Sequence, residues 1–226
     1  MLSGTVTVAV KSHISLYWAP SAALFARQAR AIEGEHDFSA SEEVKMHHRS
    51  YAIGAVVSAA CFLEAAINEL YLAAVDKNPN VIPSEHDREV LASVWDDLEG
   101  QARSSILTKY QLALALTRRA RFDTGANPFQ DAENVLNLRN ALVHYKPEWS
   151  NALKKHQTLA NRLRGKFGQN PLLPRQGSIE FFPHRCLGYG CAKWAADSAL
   201  RFYSEFTQRM GLPQRDLVHP VSLLEM

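Results

Sequence analysis

Between Ser41 and Val75 the residues Val56, Ala59, Ala60, Leu63, Ile67, Leu70 and Ala74 recur every three or four positions, which places them on one face of a long helix. Lys77-Asn78-Pro79-Asn80 ends that segment. Ser84 followed by Asp87 has the form of an N-cap with an acidic third residue, and it predicts a helix from about Glu85 to Leu98. After Gly100 the apolar pattern resumes from Ser105 to Leu116. Asn127-Pro128 pairs an N-cap with a proline at the first helical position, opening a helix that runs to about Tyr145 before Pro147. A last helix, about Cys186 to Met210, is patterned by Trp194, Ser198, Phe202, Phe206 and Met210, with Gly211-Leu212-Pro213 as its stop.

Upstream, Pro20 is placed to open a helix through Ser21 to Ile32 that Gly34 stops. Thr5 to Val10 alternates β-branched residues and is a candidate short strand. The expected fold is all-α, a helical bundle over 41–226 preceded by an extension over 1–40 containing that strand and helix. Within the bundle, 150–178 holds Asn170-Pro171, Pro174 and Gly177 and is expected to be an irregular, partly mobile loop.

Composition narrows the function classes. The 226 residues suit one medium domain, and 46% hydrophobic with 21% charged residues excludes collagen, rods and disulfide knots. The net charge of +2 signals no partner, but its distribution does. Lys154, Lys155, Arg162, Arg164, Lys166 and Arg175 fall in Ser150 to Gln176 without an acidic residue, so that stretch carries +6 and the rest −4. A polyanion is drawn there. Cys61, Cys186 and Cys191 are an odd number in apolar surroundings, which suits a reducing compartment. No export signal is visible, and the uninterrupted apolar run Ala52 to Leu63 ends at Glu64, short of the roughly 20 residues of a membrane span. A cytoplasmic protein without a membrane partner is expected.

The chemistry concentrates in Asn134 to Trp149. At 100° per residue Val135, Leu138, Leu142 and Tyr145 form a core stripe, and Asn137, Asn140 and His144 gather opposite. Arg139 projects between the two faces, and Leu136 and Val143 flank the polar face as a second packing surface. A neutral imidazole takes a proton from a hydroxyl, and a guanidinium holds a phosphate by two parallel bonds. RNA offers both groups. His144 would abstract the ribose 2′-proton, the 2′-oxygen would attack phosphorus, and Arg139 would stabilise the phosphorane, giving a 2′,3′-cyclic phosphate and a 5′-hydroxyl with no metal or cofactor.

Arg139-Asn140-Ala-Leu-Val-His144, with Tyr145 following, resembles the Arg, polar residue, then His motif of the HEPN superfamily. Lys109-Tyr-Gln-Leu-Ala-Leu and Lys146-Pro-Glu-Trp are similar to flanks of bacterial members, so the resemblance spans roughly Arg49 to Met210. It implies an all-α bundle that forms a homodimer with two motifs facing one cleft. In many members it implies a metal-independent ribonuclease in toxin, phage-defence or RNA-processing roles, with an antitoxin or other regulatory protein as partner. Some members only bind nucleotides, RNA or a protein.

Supporting residues follow. Asn140, one turn before His144, can orient ring or phosphate. Glu64 is either a surface carboxylate or the partner that fixes Arg139. Tyr145 is expected to pack its ring, its hydroxyl reaching toward the site. Lys146, Lys154, Lys155, Arg162, Arg164 and Lys166 are candidate RNA-phosphate contacts, and Trp149 either stacks a base or takes a core or hinge role, the latter being favoured. Cys186 and Cys191, five apart, lack the spacing and His partners of a zinc site and are expected in the core, and His47-His48 at the surface. Gly165-Lys166-Phe167-Gly168 is too short for a phosphate loop, and Gly188-Tyr189-Gly190 is not a dinucleotide fingerprint.

Overall fold

The computed structural model describes residues 11–100, 105–149, 155–176 and 179–213. Its described residues are helical, without a strand, in an all-α bundle: α1 (Ser15–Glu35), α2 (Glu42–Val75), α3 (Glu85–Ala92), α4 (Trp95–Gly100), α5 (Ile106–Leu116), α6 (Phe129–Val143), α7 (Lys155–Leu163), a single wide turn (Phe181–Arg185) and α8 (Tyr189–Met210). The candidate strand Thr5 to Val10 lies outside the described residues.

Local chemistry accounts for most boundaries. Ser41, Ser84 and Ser105 each accept the backbone N–H three residues on, from Val44, Asp87 and Thr108, and so cap α2, α3 and α5. Gly211 takes φ +67° and closes α8 in the left-handed conformation. Several boundaries differ from expectation, among them the start of α6, where Pro128 rather than Asn127 stands at the N-cap and no side chain caps the helix. The single helix over Glu85 to Leu98 is broken after Ala92, where the Ser93 hydroxyl donates back to the Val90 carbonyl at 2.9 Å and competes with the helical ladder. Pro20 does not open α1 but lies inside it.

α2 is the axis of the fold, packed against α1, α8, α3, α6 and α5. Its expected stripe is buried, but so are Ala52, Ala55, Ser58, Phe62, Ala66, Tyr71 and Ala73, which brings burial nearly round the helix. A helix this apolar is long enough to cross a membrane by length and composition, contrary to the expectation drawn from the uninterrupted run, because Glu64 interrupts a run without ending a helix. Here 56% of that apolar window is buried inside the fold.

The helix assigned to the 1–40 extension shares this core. α1 presents Ala19, Ala22, Ala23, Ala26 and Ala29, all buried, to α2 and α8, and small side chains on both partners let the backbones approach closely. Carboxylates fix its ends. Glu69 of α2 accepts the Ser15 backbone N–H at 2.8 Å and the Ser15 hydroxyl at 2.6 Å, which caps the start of α1. At the other end Glu33 accepts from His48 Nε2 at 2.7 Å and from the Tyr189 N–H, the first of α8, also at 2.7 Å. One carboxylate thus joins α1, α2 and α8. His48 is fully buried, so the expectation of a surface residue is wrong: its ring is the polar partner that Glu33 carries into the core.

Of the two glycine pairs, that at 188 and 190 has a steric reason. A Cβ on Gly190 would stand 2.7 Å from the Gly168 carbonyl oxygen, and one on Gly188 would stand 2.9 Å from Glu33 Oε1. Both positions admit the backbone crossing at the start of α8.

Replacing Glu33 with Ala leaves the buried His48 ring and the α8 N-terminus without an acceptor. It should lower unfolding stability by about 2–3 kcal/mol, and Glu33→Gln by less, read as a shift of the urea midpoint at constant slope. Gly190→Ala should cost about 1–3 kcal/mol by the same measurement, since the obstacle is backbone that cannot swing aside.

Candidate functional site

α6 buries Val135, Leu138 and Leu136, the first two completely. It stops at Val143 rather than Tyr145. Pro147 has no N–H for the Val143 carbonyl and disfavours the helical region for Lys146, so the chain leaves the helix early. His144 is therefore the C-cap, with φ −107°, ψ 37° and its N–H on the Asn140 carbonyl at 2.9 Å. Two expectations change with that boundary. Tyr145 is off the core stripe and 44% exposed. Leu136 is buried in its own chain, so of the two apolar residues expected to form a second packing surface only Val143, 55% exposed, is presented to solvent.

Where an irregular basic loop was expected, α7 forms. The sequence signal is His156, Leu159, Ala160 and Leu163, an i, i+3, i+4, i+7 set that is buried as one face, while the basic residues occupy the other positions. Glu148 anchors its start, accepting the His156 backbone N–H at 3.2 Å and lying 3.6 Å from the same residue's Nδ1. The irregular part of the loop follows α7. There the buried Asn170 bonds to the Leu187 carbonyl at 2.9 Å and accepts from the Leu172 N–H.

Between the end of α6, the stretch after it and α7 opens a cleft of about 680 Å³. Asn137, Ala141 and His144 line it from one face of α6, Lys146 and Glu148 from the stretch, and His156, Thr158, Leu159 and Arg162 from α7. His144 is exposed. The His156 ring lies on the ring of Tyr145, 5.1 Å between centroids at 22°, and edge-on to Phe182 at 5.1 Å. His156 is the residue that sequence reasoning missed.

Neither Arg139 nor Asn140 is among the described residues lining the cleft. Arg139 Nη2 donates to Glu64 Oε2 at 3.1 Å, the pairing anticipated from sequence, and its Nε is buried without a hydrogen bond. Glu64 is half-exposed, so the pair contributes at most about 1 kcal/mol and serves chiefly to hold the guanidinium against α2. Asn140 is exposed.

The basic candidates divide. Lys146 and Arg162 line the cleft, and Arg162 also lies 3.8 Å from Glu133. Lys166 is bound to Asp131 at 2.6 Å, and Arg164 covers the Phe181 ring at 5.3 Å, so both are engaged within the chain. Lys154 lies outside the described residues, and Lys155 is the first residue of α7. Trp149 is 84% exposed, not packed. A second cavity, about 930 Å³, is lined by Asp37, Phe38, Pro174, Arg175 and Arg185, but Arg185 is committed to the Ile179 and Arg175 carbonyls. Among the described residues no group of three His, Cys, Asp or Glu side chains gathers to hold a metal ion.

Cys186 and Cys191 are buried, and burial pushes the Cys186 thiol up to about 12 and that of Cys191 well above its ordinary value. Cys61 is half-buried. Burial raises its thiol, while the nearby Arg139 charge pulls it back down and Glu64 opposes that pull.

Compared with family models, with curated proteins and with solved structures, the chain matches none of them.

With an aromatic disulfide reagent at pH 8, only Cys61 should react in the folded protein, slowly, and all three thiols after unfolding. Arg139→Gln should slow Cys61 further, because its thiolate loses a neighbouring cation. A variant thiol that reacts at the parent rate would place Arg139 too far away to matter.

Proposed function

We propose that the chain is a metal-independent endoribonuclease of HEPN type that acts as a homodimer, with His144 as the base for the 2′-hydroxyl and Arg139 as the phosphate-holding cation. The observation that carries the reading is the cleft at the end of α6. An exposed imidazole, Lys146 and Arg162 line one concavity, the combination of proton acceptor and cations that a phosphodiester next to a hydroxyl needs. The helix register favours it too, since Asn137 and His144 share a face of α6.

Arg139 enters this chemistry from the adjoining face. Its bond to a half-exposed carboxylate is worth at most about 1 kcal/mol, and a phosphate accepting two charge-assisted bonds outcompetes that. Glu64 then acts as a placeholder that keeps the guanidinium extended until substrate arrives. Pairing of two subunits through the ends of α6, where Val143 is exposed, brings a second set of the same groups to the cleft.

The second reading is a module that binds RNA, nucleotides or a protein without cleaving. The observation that favours it is that Arg139 is held by Glu64 and does not line the cleft that His144 lines.

Purified protein incubated with total RNA in EDTA should leave fragments with 2′,3′-cyclic phosphate and 5′-hydroxyl ends. His144→Ala should reduce the rate by about 10²- to 10⁴-fold with an unchanged fold, because the side chain is exposed at a helix end. RNA retained without cleavage supports the second reading. A His144→Ala protein that cleaves like its parent ends the first.

A further inference from the structure

From the arrangement around α7 we infer that His156 is the second proton carrier of the cleft, the acid that protonates the departing 5′-oxygen; this rests on the ribonuclease reading above. His144 supplies only half of what the displacement requires. As the 2′-oxygen bonds to phosphorus, the bond from phosphorus to the 5′-oxygen breaks with its electron pair on that oxygen, which in water would leave as a poor alkoxide. A proton delivered at that moment removes the difficulty.

His156 is the described group in the cleft built for that delivery. It lines the same concavity as His144 but comes from α7 rather than from the end of α6, a placement that would let the two imidazoles reach a bound phosphodiester from different sides. Its Nδ1 is turned to the Glu148 carboxylate at 3.6 Å, which leaves Nε2 as the nitrogen that serves the substrate. Its plane is set by Tyr145 on one face and Phe182 at the edge, and its backbone by the bond to Glu148, so the ring is oriented before substrate binds. Around it lie Lys146 and Glu148 from the stretch after α6, Arg162 from α7 and Arg164 just past its end, Glu180 beside the wide turn, and the Tyr145 phenol.

The proton count closes. His144 takes the proton from the 2′-oxygen, protonated His156 gives one to the 5′-oxygen, and the products are the 2′,3′-cyclic phosphate and the 5′-hydroxyl. The two rings end with exchanged protonation states that solvent resets, and no other reactant is consumed.

The test uses two dinucleotides, one natural and one in which the 5′ leaving oxygen is replaced by sulfur, a leaving group that needs no acid. For the unaltered protein the rate on natural substrate should rise and then fall with pH, and the fall at high pH should vanish on the sulfur substrate. His156→Gln should be about 10²-fold or more slower on natural substrate and within about threefold of the parent on the sulfur substrate, whereas His144→Ala should be slow on both. A high-pH fall that persists on the sulfur substrate overturns the inference without need of any variant, as does a His156→Gln protein that is equally impaired, or unimpaired, on both. If the unaltered protein cleaves neither dinucleotide nor longer RNA, the ribonuclease reading itself falls; if it cleaves and only the His156 pattern fails, that reading stands alone.

Discussion

Glu33 is the constraint on which the arrangement of the long helices depends. A carboxylate at the end of α1 accepts a bond from a buried ring of α2 and from the first N–H of α8, and glycine at position 188 is what lets α8 begin against it. The alanine faces of these helices supply close packing but little directional preference, since small side chains interlock weakly. Charged hydrogen bonds in a partly desolvated place are directional, and each is worth more than a neutral one. They set the axial register that alanines leave open. Glu69 does the same at the far end of α1, so that helix is held at both termini by groups distant in sequence.

Glu148 repeats the device on a smaller scale, and the cleft is its consequence. Proline at 147 ends α6 and leaves His144 at the cap; the chain then turns, Glu148 caps α7, and α7 lays His156 and Arg162 along the wall opposite Asn137 and His144. The polar residues of the cleft are carried by two helices whose apolar faces are fixed in the core and by the stretch that joins them. Function, in the proposal above, rests on a helix end stopped at the correct residue as much as on the identity of His144.

Arg139 shows how one helix serves two faces. Five residues before His144, it turns toward α2 and Glu64, while His144 turns to α7. An arginine held by a half-exposed carboxylate is neither buried nor free, which in the ribonuclease proposal would let it change partner when a phosphate arrives. The same proximity tunes the Cys61 thiol, which reports on the guanidinium without being part of the chemistry.

Much of this was legible from the chain alone wherever the physics is local. The serine cap at 84, the helix starts at Ser41 and Ser105, the glycine stop at 211, the apolar period of α2 and α8 and the Glu64–Arg139 pairing depend on neighbours a few residues apart or on the simple need of a charge for its opposite. What failed depended on partners far off in sequence. Pro20 lies within α1, a position propensity disfavours, because alanine packing against α2 and α8 holds the helix together. His48 is buried because Glu33 meets it there, and α7 forms among lysines and arginines because its four apolar-face residues found a wall. The sequence by itself determined most of the helical segments, α7 excepted, and that Arg139, Asn140 and His144 stand together at the end of one of them. Only the tertiary structure decided that His156 shares the cleft with His144 and that Arg139 faces the other way, because those relations are set by how helices cross, and crossing is fixed by long-range packing and charge rather than by period.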